Sequence, residues 1–200
     1  MATSYSPSAA EVKQVRELTS AGLMDCKGAL AETGGDIDAA VKLLREKGIA
    51  KAGKLAGRGT SEGVVDAYVH GNGRIGVLVE VGCNTDFVAN NPEFREFAHE
   101  VALQISASPD TQWISREDVP EAARDAELEI YRAQAADKPE NIRDRIAQGK
   151  LDKWYQSVCL LEQPYIRDSD KTIEELRAAL AGKMGENVEI KRFARFERGA

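Results

Sequence analysis

Hydrophobic positions near the start of the chain recur at helical spacing. Val12, Val15 and Leu18 stand three apart, as on one face of a helix. Ser8-Ala9-Ala10-Glu11 has the spacing of a capping box, in which the serine oxygen and the glutamate carboxylate satisfy the first free amides. Ser20-Ala21-Gly22 breaks this helix, and a second short one carries Met24, Ala29 and Leu30 as far as Thr33-Gly34-Gly35. Asp36 then caps a third, with Ile37, Ala40, Val41 and Leu44 on one face and Gly48 as its C-terminal stop. Three such helices make a small bundle with a core that is marginal by itself. Residues 47–63, rich in Gly, Ala and Lys, read as a linker or weak helix.

The period then shortens. Residues 64–70 and 75–81 are β-branched and apolar enough for two strands, and Gly71-Asn72-Gly73 between them tolerates positive φ, so the pair reads as a hairpin. Asn91-Pro92-Glu93 is a helix start, followed by Phe94, Phe97, Ala98, Val101 and Ile105 on one face. Residues 120–163 are helical again with an interruption at Lys138-Pro139, which predicts a helical hairpin with Leu151, Trp154, Val158 and Leu161 on one stripe. Thr172-Ile173-Glu174-Glu175 is a second capping box, leading Ile173, Leu176, Leu180 and Met184 up to Gly185. Residues 188–196 alternate and read as a strand that could join the hairpin, three strands being about the minimum for a stable sheet. The fold class is α+β. Its domains are a helical bundle over 1–48, a linker over 49–62 and an α+β core over 63–200.

Composition adds little to the pattern but removes several alternatives. The 200 residues are 42% hydrophobic and 30% charged, with a net charge of -6, an ordinary globular balance without the basic stripe of a dedicated nucleic-acid binder. Three dispersed cysteines, Cys26, Cys83 and Cys159, form no CxxC pair and fit a reducing cytoplasm. The first residues show neither a signal nor a transit peptide, and no stretch has the apolar length of a membrane span. A cytoplasmic protein, free of membrane and of metal, is the expectation.

Two glycine patterns invite a nucleotide-binding reading. Gly71-Asn72-Gly73-Arg74-Ile75-Gly76 matches GxGxxG, but Val77, Leu78, Val79 and Val81 follow, a strand where the fingerprint needs a helix facing the pyrophosphate. Gly48-Ile49-Ala50-Lys51-Ala52-Gly53-Lys54-Leu55 resembles a P-loop but ends in Leu, and it follows a helix rather than a strand. His70 and His99 have no Cys/His spacing that fits zinc, and no catalytic constellation is nominated. No cofactor is implied.

One connection is oddly apolar. Gly82-Cys83-Asn84-Thr85-Asp86-Phe87-Val88-Ala89-Asn90 lies between a strand and a well-capped helix, as a loop or single helical turn capped by Thr85 or Asp86. Phe87 either tucks into the local core, the usual fate of apolar loop residues, or projects as an interface anchor.

The stretch Val77-Leu78-Val79-Glu80-Val81-Gly82-Cys83-Asn84-Thr85-Asp86-Phe87-Val88-Ala89 resembles the signature of the elongation factor Ts family, guanine-nucleotide exchange factors for elongation factor Tu. Thr19-Ser20-Ala21-Gly22-Leu23-Met24-Asp25-Cys26-Lys27-Gly28-Ala29-Leu30 resembles the family's other signature, and Gly185-Glu186-Asn187-Val188-Glu189-Ile190-Lys191-Arg192-Phe193 its closing strand. The three motifs are collinear over nearly the whole chain. The resemblance implies a ubiquitin-associated-like bundle that docks on the nucleotide domain of elongation factor Tu through Arg16, Leu23 and Met24. It implies that Asp86 and Phe87, framed by Thr85 and Val88, insert beside the partner's nucleotide site and disturb its magnesium ion. Ser20, Leu23 and Gly28 stand where many relatives have Gly, Met and Lys, which bears on the docking contacts. The chain resembles the short form of the family, expected to work as a homodimer. A generic adaptor built on the bundle is the alternative reading.

Overall fold

The computed structural model describes residues 5–19 and 21–199; Ser20, assigned from sequence to the break after the first helix, lies outside them. Helix α1 spans Ala9–Thr19, α2 Leu23–Glu32 and α3 Ile37–Leu55. The capping box forms as expected: the Ser8 amide donates to Glu11 Oε2 at 2.7 Å, and the Glu11 amide donates to Ser8 Oγ at 3.3 Å. Tyr5 also donates to Glu11 Oε1, at 2.5 Å, and that bond together with those from Ser8 holds the Glu11 carboxyl below its ordinary pKa. Asp36 caps α3 by accepting from the Ala39 amide at 3.0 Å.

The three helices close over Val12, Val15, Cys26, Ala29, Leu30, Ala40 and Leu44. Two details depart from the sequence reading. The buried stripe of α1 ends at Val15, and Leu18, one turn on, is 47% exposed. Gly48 does not stop α3, which runs through it to Leu55. A mid-helix glycine costs only about 1 kcal/mol, and the continued turns bury Ala52 and Leu55 and let Lys51 donate to the Gly182 carbonyl at 2.9 Å.

Strands β1 (Glu62–His70) and β2 (Ile75–Cys83) form the predicted hairpin. Gly71, Asn72 and Gly73 all adopt positive φ in its turn. Strand β5 (Glu189–Glu197) joins them in a small antiparallel sheet of order β1-β2-β5. The GxGxxG letters thus lie in a hairpin and the P-loop-like letters in α3, so neither makes a strand-to-helix phosphate cradle. Helix α4 is a single turn, Asp86–Ala89, and α5 follows over Pro92–Ala107, burying Phe94, Phe97, Ala98, Val101 and Ile105 as the spacing predicts.

The chain divides into two compact units. One holds the described residues up to Asp66, together with Glu80–Ala98 and Glu175–Lys191. It contains the bundle, α4 and most of α8 (Ile173–Met184). The other holds Ala67–Val79, His99–Glu174 and the described residues from Arg192 onward. In it α6 (Glu121–Gln134) packs on α7 (Glu140–Val158), the predicted helical hairpin. Its core is Val119, Leu151, Tyr155, Val158 and Cys159, flanked by Trp113 and Trp154.

Arg116 pairs with Glu162 and with Asp152 at 2.9 Å, its guanidinium 4.5 Å from the centre of the Tyr155 ring. Two short strands not foreseen from sequence, β3 (Pro164–Tyr165) and β4 (Asp168–Thr172), pair antiparallel just before α8. Buried Gln104 donates to Gln163 Oε1 at 3.1 Å, and Gln163 donates to Thr111 Oγ1 at 2.7 Å, so these interior amides are satisfied. Burial pushes the Cys159 thiol up to about 12, which leaves it a protonated packing group.

Candidate functional site

Strand β2 delivers the chain to α4 through Gly82, whose lack of a side chain is a packing requirement. A Cβ there would meet Lys191 Cε at 2.5 Å and Thr60 Cβ at 2.9 Å. Cys83 is buried, and burial, followed by the nearby Glu186 carboxylate, pushes its thiol up. The protonated Sγ donates to the Thr85 carbonyl at 3.2 Å. Between the two candidates for the cap, the structure selects Thr85. Its backbone is extended (φ -127°, ψ 154°), and its Oγ1 accepts from the Val88 amide at 3.4 Å.

The turn faces two ways. Val88 and Ala89 are buried, whereas Thr85, Asp86 and Phe87 are exposed. Phe87 is 81% exposed, so the packing alternative for this residue falls and Val88 is the apolar group that anchors the turn. The Asp86 carboxylate makes no hydrogen bond or ion pair among the described residues. Its carbonyl accepts from the Asn90 amide at 3.0 Å and from Asn90 Nδ2 at 2.9 Å. Arg95 in turn donates to Asn90 Oδ1 at 3.1 Å, and Asn91 Oδ1 accepts from the Glu93 amide at 2.9 Å, which ties α4 to the start of α5.

A second support comes from the far end of the chain. Helix α8 ends at Met184, and Gly185 takes a positive φ of 71°, the usual C-terminal reversal. That reversal turns Glu186 back toward α4. Glu186 Oε2 accepts from the Asn84 amide at 3.1 Å and from the Thr85 amide at 3.0 Å; its Oε1 accepts from Thr85 Oγ1 at 2.6 Å. Asn84 answers through its own side chain, accepting from the Asn187 amide at 2.8 Å and donating to the Gly59 carbonyl at 2.6 Å. Asn187, buried, donates to the carbonyls of Ala56 and Arg58. The sequence pattern places Glu186 and Asn187 in a strand motif and assigns them no role. The signal available was the glycine at 185, which must reverse the chain.

Arg16, Leu23 and Met24 lie elsewhere in the same unit. Arg16 is exposed in the last turn of α1, and Leu23 and Met24 are the first residues of α2, 58% and 73% exposed. Leu18 adds an exposed apolar side chain on the other side of the α1–α2 connection, which sequence reading had assigned to the core face. Among the described residues there is no group of three or more His, Cys, Asp or Glu placed to hold a metal ion, and no helix long and apolar enough to cross a membrane. An exposed aromatic and a free carboxylate on a braced turn can recognise and displace groups on another molecule.

The family model described as Elongation factor TS matches residues 8–200. The chain is 57% identical to Elongation factor Ts of Caldanaerobacter subterraneus subsp. tengcongensis over 194 residues, covering 96% of each protein. It is 52% identical to Elongation factor Ts of Thermotoga petrophila, covering 94% of each. It is 50% identical to that of Rippkaea orientalis, a longer relative of which it covers 78%.

Proposed function

Because the chain belongs to the elongation factor Ts family, we propose that it binds elongation factor Tu carrying GDP and speeds GDP release by disturbing the magnesium and phosphate site, so that GTP can enter. The observation that carries this reading is Phe87, an aromatic side chain left 81% exposed on a turn whose other apolar residues are buried. Exposing a large aromatic costs solvation, and no packing among the described residues accounts for it.

No covalent step is needed. A diphosphate nucleotide is held by backbone amides, a lysine and magnesium. A factor that binds best to the state in which those contacts are spoiled lowers nucleotide affinity, and linkage makes the weakening mutual. Each tenfold gain in release rate needs about 1.4 kcal/mol off the barrier. Burying one Phe side chain is worth roughly 1.5–3 kcal/mol, so Phe87 alone supports only a modest acceleration. Docking through Arg16, Leu23 and Met24 supplies the remaining binding energy in this reading, while Val88 anchors the turn from inside. Asp86, whose carboxylate has no partner among the described residues, is available to polar groups of elongation factor Tu.

The test is release of labelled GDP from elongation factor Tu with and without the chain. Phe87→Ala is expected to lower the rate at saturating factor by about tenfold to a hundredfold, the range equivalent to the Phe burial energy above. A variant as fast as the parent would remove the wedge role, and a parent that leaves GDP release unchanged would remove the function itself.

A further inference from the structure

We propose that Glu186 is a positioning residue for exchange, holding Phe87 in its working orientation through Thr85; the inference rests on the exchange-factor reading above. Helix α4 has four residues, too few to be stable by itself. Phe87 is exposed, so the packing of its own side chain does little to aim it, and its direction follows the backbone of the turn. Among the bonds that fix the leading end of that backbone, three converge on one carboxylate. Two amides, those of Asn84 and Thr85, converge on Glu186 Oε2, and the Thr85 hydroxyl donates to Oε1.

The hydroxyl bond has a directional consequence. With its proton committed to Glu186, Thr85 Oγ1 turns its lone pairs to the Val88 amide, the bond that closes the turn. A carboxylate is the side chain suited to three converging donors, because it accepts at both oxygens and strengthens each bond through its charge. The clamp therefore runs from Glu186 to Thr85, from Thr85 to Val88, and so to the residue between them. Without it the turn samples other orientations, and binding must order it again at the moment of exchange.

Docking residues sit on α1 and α2, so loss of the clamp should act on the rate at saturation rather than on affinity. We expect Glu186→Ala to lower the saturating rate of GDP release by about tenfold, misplacement of about 1 Å being enough for such losses, with the half-saturating concentration changed by less than about twofold. Glu186→Gln keeps one oxygen for the two amides but offers Thr85 Oγ1 a donor where Glu186 accepts, so it should recover only part of the rate. In the Phe87→Ala background, Glu186→Ala should slow release no further, since the group it positions is gone. In the free protein, amide hydrogen exchange at Asn84, Thr85 and Val88 should accelerate in Glu186→Ala, and in Glu186→Gln it should stay near parental values at Asn84 and Thr85.

A Glu186→Ala variant that exchanges nucleotide as fast as the parent overturns the proposal. So do additive losses in the double variant, which would mark a general structural role, and unchanged amide exchange at the three positions. If Phe87→Ala slows release while Glu186→Ala does not, the positioning role falls and the exchange-factor reading stands. If the parent fails to accelerate release, both fall.

Discussion

Leu23 and Met24 are the first two residues of α2; Asp86 and Phe87 are the first two of α4. Both helices carry exposed apolar groups in their opening turn, and their supports differ. Gly22 caps α2 without any side-chain hydrogen bond, and that helix is held by its length of 10 residues and by buried Cys26, Ala29 and Leu30. Helix α4 buries only Val88 and Ala89, and it depends on Thr85, Asn90 and Glu186 at its ends. A helix with a buried face takes its direction from the core, whereas a single turn takes it from hydrogen bonds. The first suits a docking surface that must simply be present. The second suits a tip that must be aimed.

The comparison can be broken at several levels. The largest effect is expected for Leu30→Ala, which opens the bundle core under α2 and should cost about 2–5 kcal/mol, read as a lower urea midpoint. A cost below about 1 kcal/mol would mean that α2 is not held by its buried face. Next, Leu23→Ala combined with Met24→Ala should leave stability within about 0.5 kcal/mol, since both side chains are exposed, yet raise the half-saturating concentration for GDP release by about tenfold. The saturating rate should stay within about twofold; a loss there as large as that of Phe87→Ala would erase the division between docking and wedge.

The smallest effect sharpens the contrast between the caps. Gly22 has φ -61° and ψ 147°, open to any residue, and among the described residues an added Cβ would meet only the movable end of the Asp25 side chain, at 3.1 Å. Gly22→Ser should therefore stabilise the bundle by a few tenths of a kcal/mol, roughly the Ser-for-Gly cap difference, seen as a small rise in Tm. A fall in Tm would show that this end of α2 is constrained by something other than its missing cap.

Local chemistry was largely legible from sequence. The Ser8–Glu11 capping box, the Asp36 cap, the glycine-rich hairpin turn and the Asn91-Pro92 start all depend on residues within four positions of one another, and all appear. The reading weakened wherever distant residues decide. Gly48 looked like a stop because helix propensity is local, but α3 continues since Ala52 and Leu55 find burial and Lys51 finds the Gly182 carbonyl. Leu18 shared the spacing of Val12 and Val15, yet two turns of a helix can be covered by neighbours while the third is left bare. For Phe87 the sequence singled out the segment without deciding between packing and projection.

By itself, then, the sequence determined the alternation of helices and strands, the helix starts, the hairpin and the family, because these rest on short-range hydrogen-bonding rules and on motifs that keep their order along the chain. Only the tertiary structure decided that Val88 turns inward while Phe87 stays in solvent, and that Glu186, about 100 residues away in sequence, holds the turn between them. Exposure and long-range hydrogen bonds belong to residues brought together by packing, and no spacing along the chain encodes which partners will meet.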